Sequence, residues 1–266
     1  MPSAIASRLN LATIGEGFLM AVLLVAPVGR AESFDKPLQK TVLDLGRSQY
    51  LMPRDDRHVT VTCWYYGHFM VKEQNDPGEK GAGLIALAAV QPGRLPECLK
   101  GLQRGEKQFL EWNEEDKKFE DWSGYFAGVK DDLVFLERPD GDENSGMPFT
   151  AFESDTKTKF FEDSVMLRAR GETMLDFLRA PGNQIMLRYL RVASAGCSIP
   201  KSGESCWSKL QQQTGLTHSP MPTCSDYVGK EAGVAPSVVA YPVEVSLYPK
   251  PSLRVLGGPV RCYPQE

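Results

Sequence analysis

Side chains able to do chemistry are few and scattered in this sequence. Only three histidines occur, His58, His68 and His218. His68 stands out because Trp64 and Tyr66 precede it at intervals of two, inside "CWYYGHFMVKE". In an extended chain these three side chains share one face. Such a ledge would suit stacking on a sugar, an aromatic ligand or a partner protein, since aromatic side chains offer large contact area at little entropic cost. The competing reading is that a second layer covers this face and turns the aromatics into core, and the neighbouring Cys63 favours that structural place. A histidine base also needs a partner held within hydrogen-bonding reach, and no motif around any of the three supplies one. Trp64, Tyr66 and His68 are thus the candidate ligand-binding residues, and no catalytic residue is assigned.

Other constellations fall short of their chemistry. In "PDGDENSG", Asp140, Asp142 and Asn144 alternate like the front half of a calcium loop, where hard oxygen ligands converge on the cation. Ser145 then stands where the sharp turn needs glycine, and Ala151 where a bidentate glutamate belongs. Asp and Gly also crowd into β-turns for backbone reasons, so a solvated hairpin loop is expected, with no metal or cofactor. Ser198 and Lys201 have S-x-x-K spacing, but in a late loop containing Pro and Gly between two cysteines. Neither G-x-S-x-G nor a phosphate-binding glycine loop occurs. Arg168, Arg170, Arg179, Arg188 and Arg191 form a loose basic series. Arg168 and Arg170 would share a strand face and could clamp an anion; pairing with the abundant acids is the expected use. The acidic clump Glu111, Glu114, Glu115, Asp116, Glu120 and Asp121 encloses Lys117 and Lys118 and reads as a solvated face.

The N-terminus gives an address. An apolar run from Phe18 to Val28 follows Arg8 and precedes Gly29 and Ala31 at small-residue positions. This is the pattern of a secretory signal, too short for a membrane span of about 20 residues. Residues 1–31 are expected to be a signal peptide cut between Ala31 and Glu32, leaving residues 32–266 as a single β-rich domain without a membrane span. Removing Arg8, Arg30 and Glu16 takes two of the 30 basic and one of the 34 acidic residues, for a net charge of −5. A mildly acidic chain with no basic block does not suit nucleic acid.

All six cysteines, Cys63, Cys98, Cys197, Cys206, Cys224 and Cys262, follow that segment. An even number after a signal reads as disulfides in an oxidising compartment, and without a C-x-x-C a zinc site is set aside. Of the fifteen pairings, short loops favour Cys63–Cys98, Cys197–Cys206 and Cys224–Cys262.

The elements that would position these residues are mostly strands. Residues 33–50 suit a short helix, with Leu38, Val42 and Leu45 on one face and Gly46 as a stop. From His58 the period changes to two: Val59, Val61, Cys63, Tyr65, Phe69 and Val71 would share a core face, with Gly67 at a bulge. A hairpin over about 58–90 follows, turning at "QNDPGEKG". Residues 95–122 suit one or two short amphipathic helices or a long surface excursion. Residues 122–170 read as a meander of short strands. Beyond it, "NQIMLRYLRVASAGC" is a strand and "SCWSKLQQQTGL" a helix capped by Ser205 and stopped by Gly215. Pro242 marks the last long strand as an edge. The fold class is mainly β (α+β), an antiparallel sheet or sandwich with short helical inserts, stapled by disulfides. The implied function is binding or envelope association in the periplasm or outside the cell, with a small molecule, glycan or protein as partner. A metal-independent hydrolase is the alternative.

Overall fold

A computed structural model describes residues 32–113, 117–122, 124–139, 146–166, 175–182, 184–225 and 234–265. Residues 1–31, the loop of Asp140, Asp142 and Asn144, and Arg168 and Arg170 lie outside the described residues. Of the acidic clump, Glu120 is described and ion-pairs with Lys118 at 3.1 Å.

The first sheet is a meander in chain order: β1 (Gln39–Arg47), β2 (His58–Tyr65), β3 (Phe69–Asn75), β4 (Ala82–Ala89) and β5 (Lys107–Gln108). Two expectations are corrected here. The segment expected to be helical is β1. Its Thr41, Leu43 and Leu45 alternate inward, and Thr41 and Leu43 sit opposite Cys63 and Val61 of β2. Pairing with a buried strand outweighs the weak helical period, leaving Val42 57% exposed.

Residues 58–72 are also not one strand. The chain reverses at Gly67–His68, where the Tyr66 N–H donates to the Phe69 carbonyl at 2.8 Å. Reversal inverts the phase. Val61, Cys63, Tyr65 and Met70 face one side, and Trp64, Tyr66, Phe69 and Val71 the other. Both sides are buried. The first is covered by the chain around Val90 and Cys98, the second by the other sheet.

Residues 95–106 are an irregular excursion rather than a helix. After β5 comes a small hairpin of β6 (Leu110–Asn113) and β7 (Lys118–Asp121). The second sheet then begins with the meander expected from sequence: β8 (Tyr125–Lys130), β9 (Leu133–Glu137), β10 (Met147–Glu153) and β11 (Lys159–Val165). β12 (Asp176–Arg179) and β13 (Ile185–Ser194) form a hairpin, followed by α1 (Ile199–Ser202), α2 (Glu204–Thr214), β14 (Ser237–Ser246), β15 (Ser252–Val255) and β16 (Arg261–Pro264). All pairings are antiparallel, in the order β15-β14-β13-β11-β10-β9-β8, with β12 also on β13 and β16 also on β14.

β14 is therefore internal, which corrects the edge assignment. Pro242 is tolerated because β16 pairs with residues 237–240 and β15 with residues 243–246, so the missing N–H falls between the two short partners. The helix cap differs as well: Gly203 is the N-cap of α2, and the Ser205 hydroxyl donates to the Ser202 carbonyl at 2.9 Å. Gly215 does end α2, in the left-handed region at φ 77°.

Two cores result. Trp207 and Leu210 of α2 join Tyr189, Val239, Tyr241 and Val243 of the second sheet. Between the sheets, Phe69, Val71, Ile85 and Leu87 meet Val129, Val134, Leu136 and Phe152. The three disulfides are Cys63–Cys98, Cys197–Cys206 and Cys224–Cys262. Phe34, ahead of β1, lies against Phe135 and Phe177, where a Cβ on Gly128 would come within 2.4 Å of its ring.

Candidate functional site

The reversal at Gly67–His68 separates the sequence-derived ledge. Tyr66 is buried in the inter-sheet core, and Trp64 packs against that core and against Phe126 at 4.6 Å between ring centroids. His68 stays outside, at the tip of the β2–β3 turn. Its Nε2 lies 3.0 Å from Asp132 Oδ1 of the β8–β9 turn, with the two side chains 64% and 69% exposed. The β2–β3 turn thus touches the β8–β9 turn at the seam between the sheets.

Further turns converge there. The Ser154 N–H, at the end of β10, donates to the Asp132 carbonyl at 2.8 Å. Glu153 accepts the Thr156 hydroxyl at 2.8 Å, and Asp155 accepts the Thr156 N–H at 2.6 Å. Tyr248, beyond β14, is held by Phe160 at 5.1 Å between ring centroids. Burial, and then the carboxylates of Asp132, Glu153, Asp131 and Asp155, push the Tyr248 hydroxyl above its ordinary pKa. Together His68, Asp132, Glu153, Ser154, Asp155 and Tyr248 line a cleft of about 280 Å³.

A second cleft, of about 220 Å³, shares His68, Ser154 and Asp155 with the first. Its other lining is apolar at Phe69, Leu87, Ala88 and Ala89, with Lys107 and Lys157 beside them. A larger cavity of about 360 Å³ lies elsewhere, near Arg47, Asp76, Glu79 and Lys100. Volume alone does not make that one the better site. Its lining mixes charges of both signs, and Arg47 already donates to the Met52 carbonyl at 2.5 Å.

Other polar clusters are internally satisfied. On the opposite face of β3, Lys72 is fully buried and pairs with Glu106, which is 4% exposed. Its ammonium also donates to the carbonyls of Leu99 at 3.3 Å and Gly101 at 2.5 Å, and Glu106 accepts the Gln103 N–H at 2.8 Å. Under α2, the Tyr189 hydroxyl and Arg191 both donate to Asp163, Arg191 at 2.8 Å, and Arg191 reaches the Tyr241 hydroxyl at 3.4 Å. Burial lifts both tyrosine pKa values, whereas for Arg191 burial opposes the charge and Asp163, with Tyr241 and Tyr189, more than compensates. Arg188 pairs with Glu244 at 2.8 Å and Arg179 with Glu32 at 3.2 Å. Ser198 serves as the N-cap of α1, its hydroxyl accepting the Lys201 N–H at 3.4 Å. His58 lies 2.7 Å from Asp44 on the exposed β1–β2 surface, and His218 is exposed in a loop.

Asp132, Glu153, Asp155, Lys107, Lys157 and Tyr248 carry no local motif. They meet only because four separate turns and strand ends do. Among the described residues no group of three or more His, Cys, Asp or Glu side chains is arranged for a metal ion. Ser154, His68 and Asp132 are suggestive types for one cleft, yet among the described residues no hydrogen bond links the Ser154 hydroxyl to His68. The seam presents charged groups to an open cleft, and among the described residues it shows no nucleophile–base contact of the kind a hydrolytic triad uses. No family model matches the chain, nor does any curated protein or solved structure.

Proposed function

We propose that this is an exported, disulfide-bonded binding protein that takes its ligand at the seam around His68. Residues 1–31 are its signal peptide and residues 32–266 a single domain, working in the periplasm or outside the cell. The observation that carries the reading is the exposed His68 imidazole between two adjoining clefts, one lined by carboxylates and one by apolar side chains with two lysines. The polar clusters elsewhere are spent on holding strands and loops together.

Three disulfides support an oxidising compartment. Glu32 supports the expected cleavage point: it exchanges backbone hydrogen bonds with Phe177 at 2.7 and 3.2 Å, and its carboxylate meets Lys130 at 2.8 Å. Intact-mass measurement of the exported protein should find Glu32 first.

Thermal melting of the oxidised protein against sugars, peptidoglycan fragments, amines, phosphates and carboxylates tests the binding role. A ligand at a hundred times its dissociation constant adds about 2.7 kcal/mol. A flat panel with the native protein would remove the small-molecule reading and leave a protein partner. The alternative of a metal-independent hydrolase rests on Ser154, His68 and Asp132 sharing one cleft; ester hydrolysis abolished by Ser154→Ala would establish it instead.

A further inference from the structure

The two halves of the seam differ in what they can hold. Lys107, on β5, sits opposite Leu87 of β4. Lys157 occupies the β10–β11 turn in the left-handed region, at φ 58°, a backbone state uncommon outside glycine. Its N–H donates to the Glu153 carbonyl at 2.8 Å, which fixes the start of its side chain beside the cleft. Burial and the nearby Lys107 both push the Lys157 ammonium below its ordinary pKa.

Neither lysine has an ion-pair partner among the described residues, although Asp155 lines the same cleft. The Asp155 carboxylate instead accepts the Thr156 N–H of its own turn. Two lysines without an ion-pair partner thus line one cleft, whereas the buried Lys72 and Lys130 are each ion-paired. Beneath them Phe69 and Leu87 are buried and Ala89 is exposed, so the cleft reaches from solvent to the edge of the inter-sheet core. A volume of about 220 Å³ is below the roughly 300–1,000 Å³ of drug-sized sites and suits a small ligand.

We propose that this half of the seam binds a small organic anion, its carboxylate between Lys107 and Lys157 and its hydrocarbon body on Phe69, Leu87 and Ala89. The assignment rests on the seam being the binding site. It names the ligand as amphiphilic, since an inorganic anion would leave the apolar lining unused and a neutral apolar molecule would leave the lysines unneutralised.

The test is calorimetric titration of the oxidised, exported protein with hexanoate, hexan-1-ol and acetate. Hexanoate should bind saturably and at least tenfold more tightly than either of the others. In Lys107→Gln/Lys157→Gln its affinity should fall at least tenfold while that for hexan-1-ol is unchanged. Lys107→Gln alone, at an exposed position, keeps the test valid if the double variant fails to fold. Equal affinity for hexanoate and hexan-1-ol, or no loss in the lysine variants, overturns the anion assignment. Silence with hexanoate, beside a different panel ligand that shifts melting in a His68-dependent way, also overturns it but leaves the seam standing. Silence with every ligand overturns the anion assignment together with the small-molecule reading.

Discussion

Two contacts between a nitrogen side chain and a carboxylate lie four residues apart on one hairpin and have opposite fates. Lys72 and Glu106 are 0% and 4% exposed and closed off by two backbone carbonyls and the Gln103 N–H. His68 and Asp132 are 64% and 69% exposed and open to two clefts. A buried pair in low dielectric must be fully satisfied, and once satisfied it has nothing left to offer a ligand. An exposed pair contributes little to stability and keeps its remaining valences for solvent or a guest. Burial separates the clasp that pins residues 95–106 to the sheet from the seam proposed as the binding site.

Experiments that break this contrast rank by size. Lys72→Met leaves Glu106 buried without its cation and should destabilise by about 3–5 kcal/mol. The double variant Lys72→Met/Glu106→Leu should recover most of that loss in urea unfolding. A single-variant effect below about 1 kcal/mol would place the clasp among ordinary surface pairs. Cys63→Ala/Cys98→Ala, which releases the same excursion, should cost about 2–4 kcal/mol. That loss should exceed the one from removing Cys197–Cys206, because the sequence separations are 35 and 9 residues.

A smaller effect is set by pH. Burial raises the Glu73 carboxyl pKa, although the Phe126 N–H donating to it at 2.6 Å works the other way. The folded protein therefore holds that proton to higher pH than the unfolded chain does. The stability this gives is complete below the unfolded carboxyl pKa and is lost as pH rises through the raised one. Glu73→Gln keeps an acceptor for Phe126 and should flatten that decline, gaining about 1 kcal/mol at neutral pH. Urea midpoints measured from acid to neutral pH check it; a parallel pH profile would refute it. The smallest change belongs to His68→Ala, which should shift stability by less than about 1 kcal/mol while removing ligand-induced stabilisation.

Much of the architecture was legible in sequence because alternation and turn chemistry are local. The meander from β8 to β11, the strand through Leu187 and the helix ending at Gly215 are of this kind; the cysteine pairings, which sequence leaves open, are the ones that short loops favoured. β1 was not, because Thr41, Leu43 and Leu45 acquire an inward face only by pairing with β2. The phase error across Gly67 had a similar source: a two-residue reversal and a bulge leave the same signature, a glycine inside an alternating run. Pro242 misled because its tolerance depends on two short partners meeting opposite it. Of the residues lining the proposed site, the sequence singled out only His68 beforehand. Asp132, Ser154, Lys157 and Tyr248 come from turns far apart in the chain and meet it only in the folded molecule.

The place where a ligand binds distinguishes the seam from every other surface of the molecule. Amide chemical shifts of the oxidised protein should be followed with the panel ligand that gives the largest melting shift. Perturbations gathered at residues 66–69 and 153–157, and absent in His68→Ala, are the expected result. Perturbations gathered instead around Arg47 and Lys100, or on α2, with the seam silent, would contradict it.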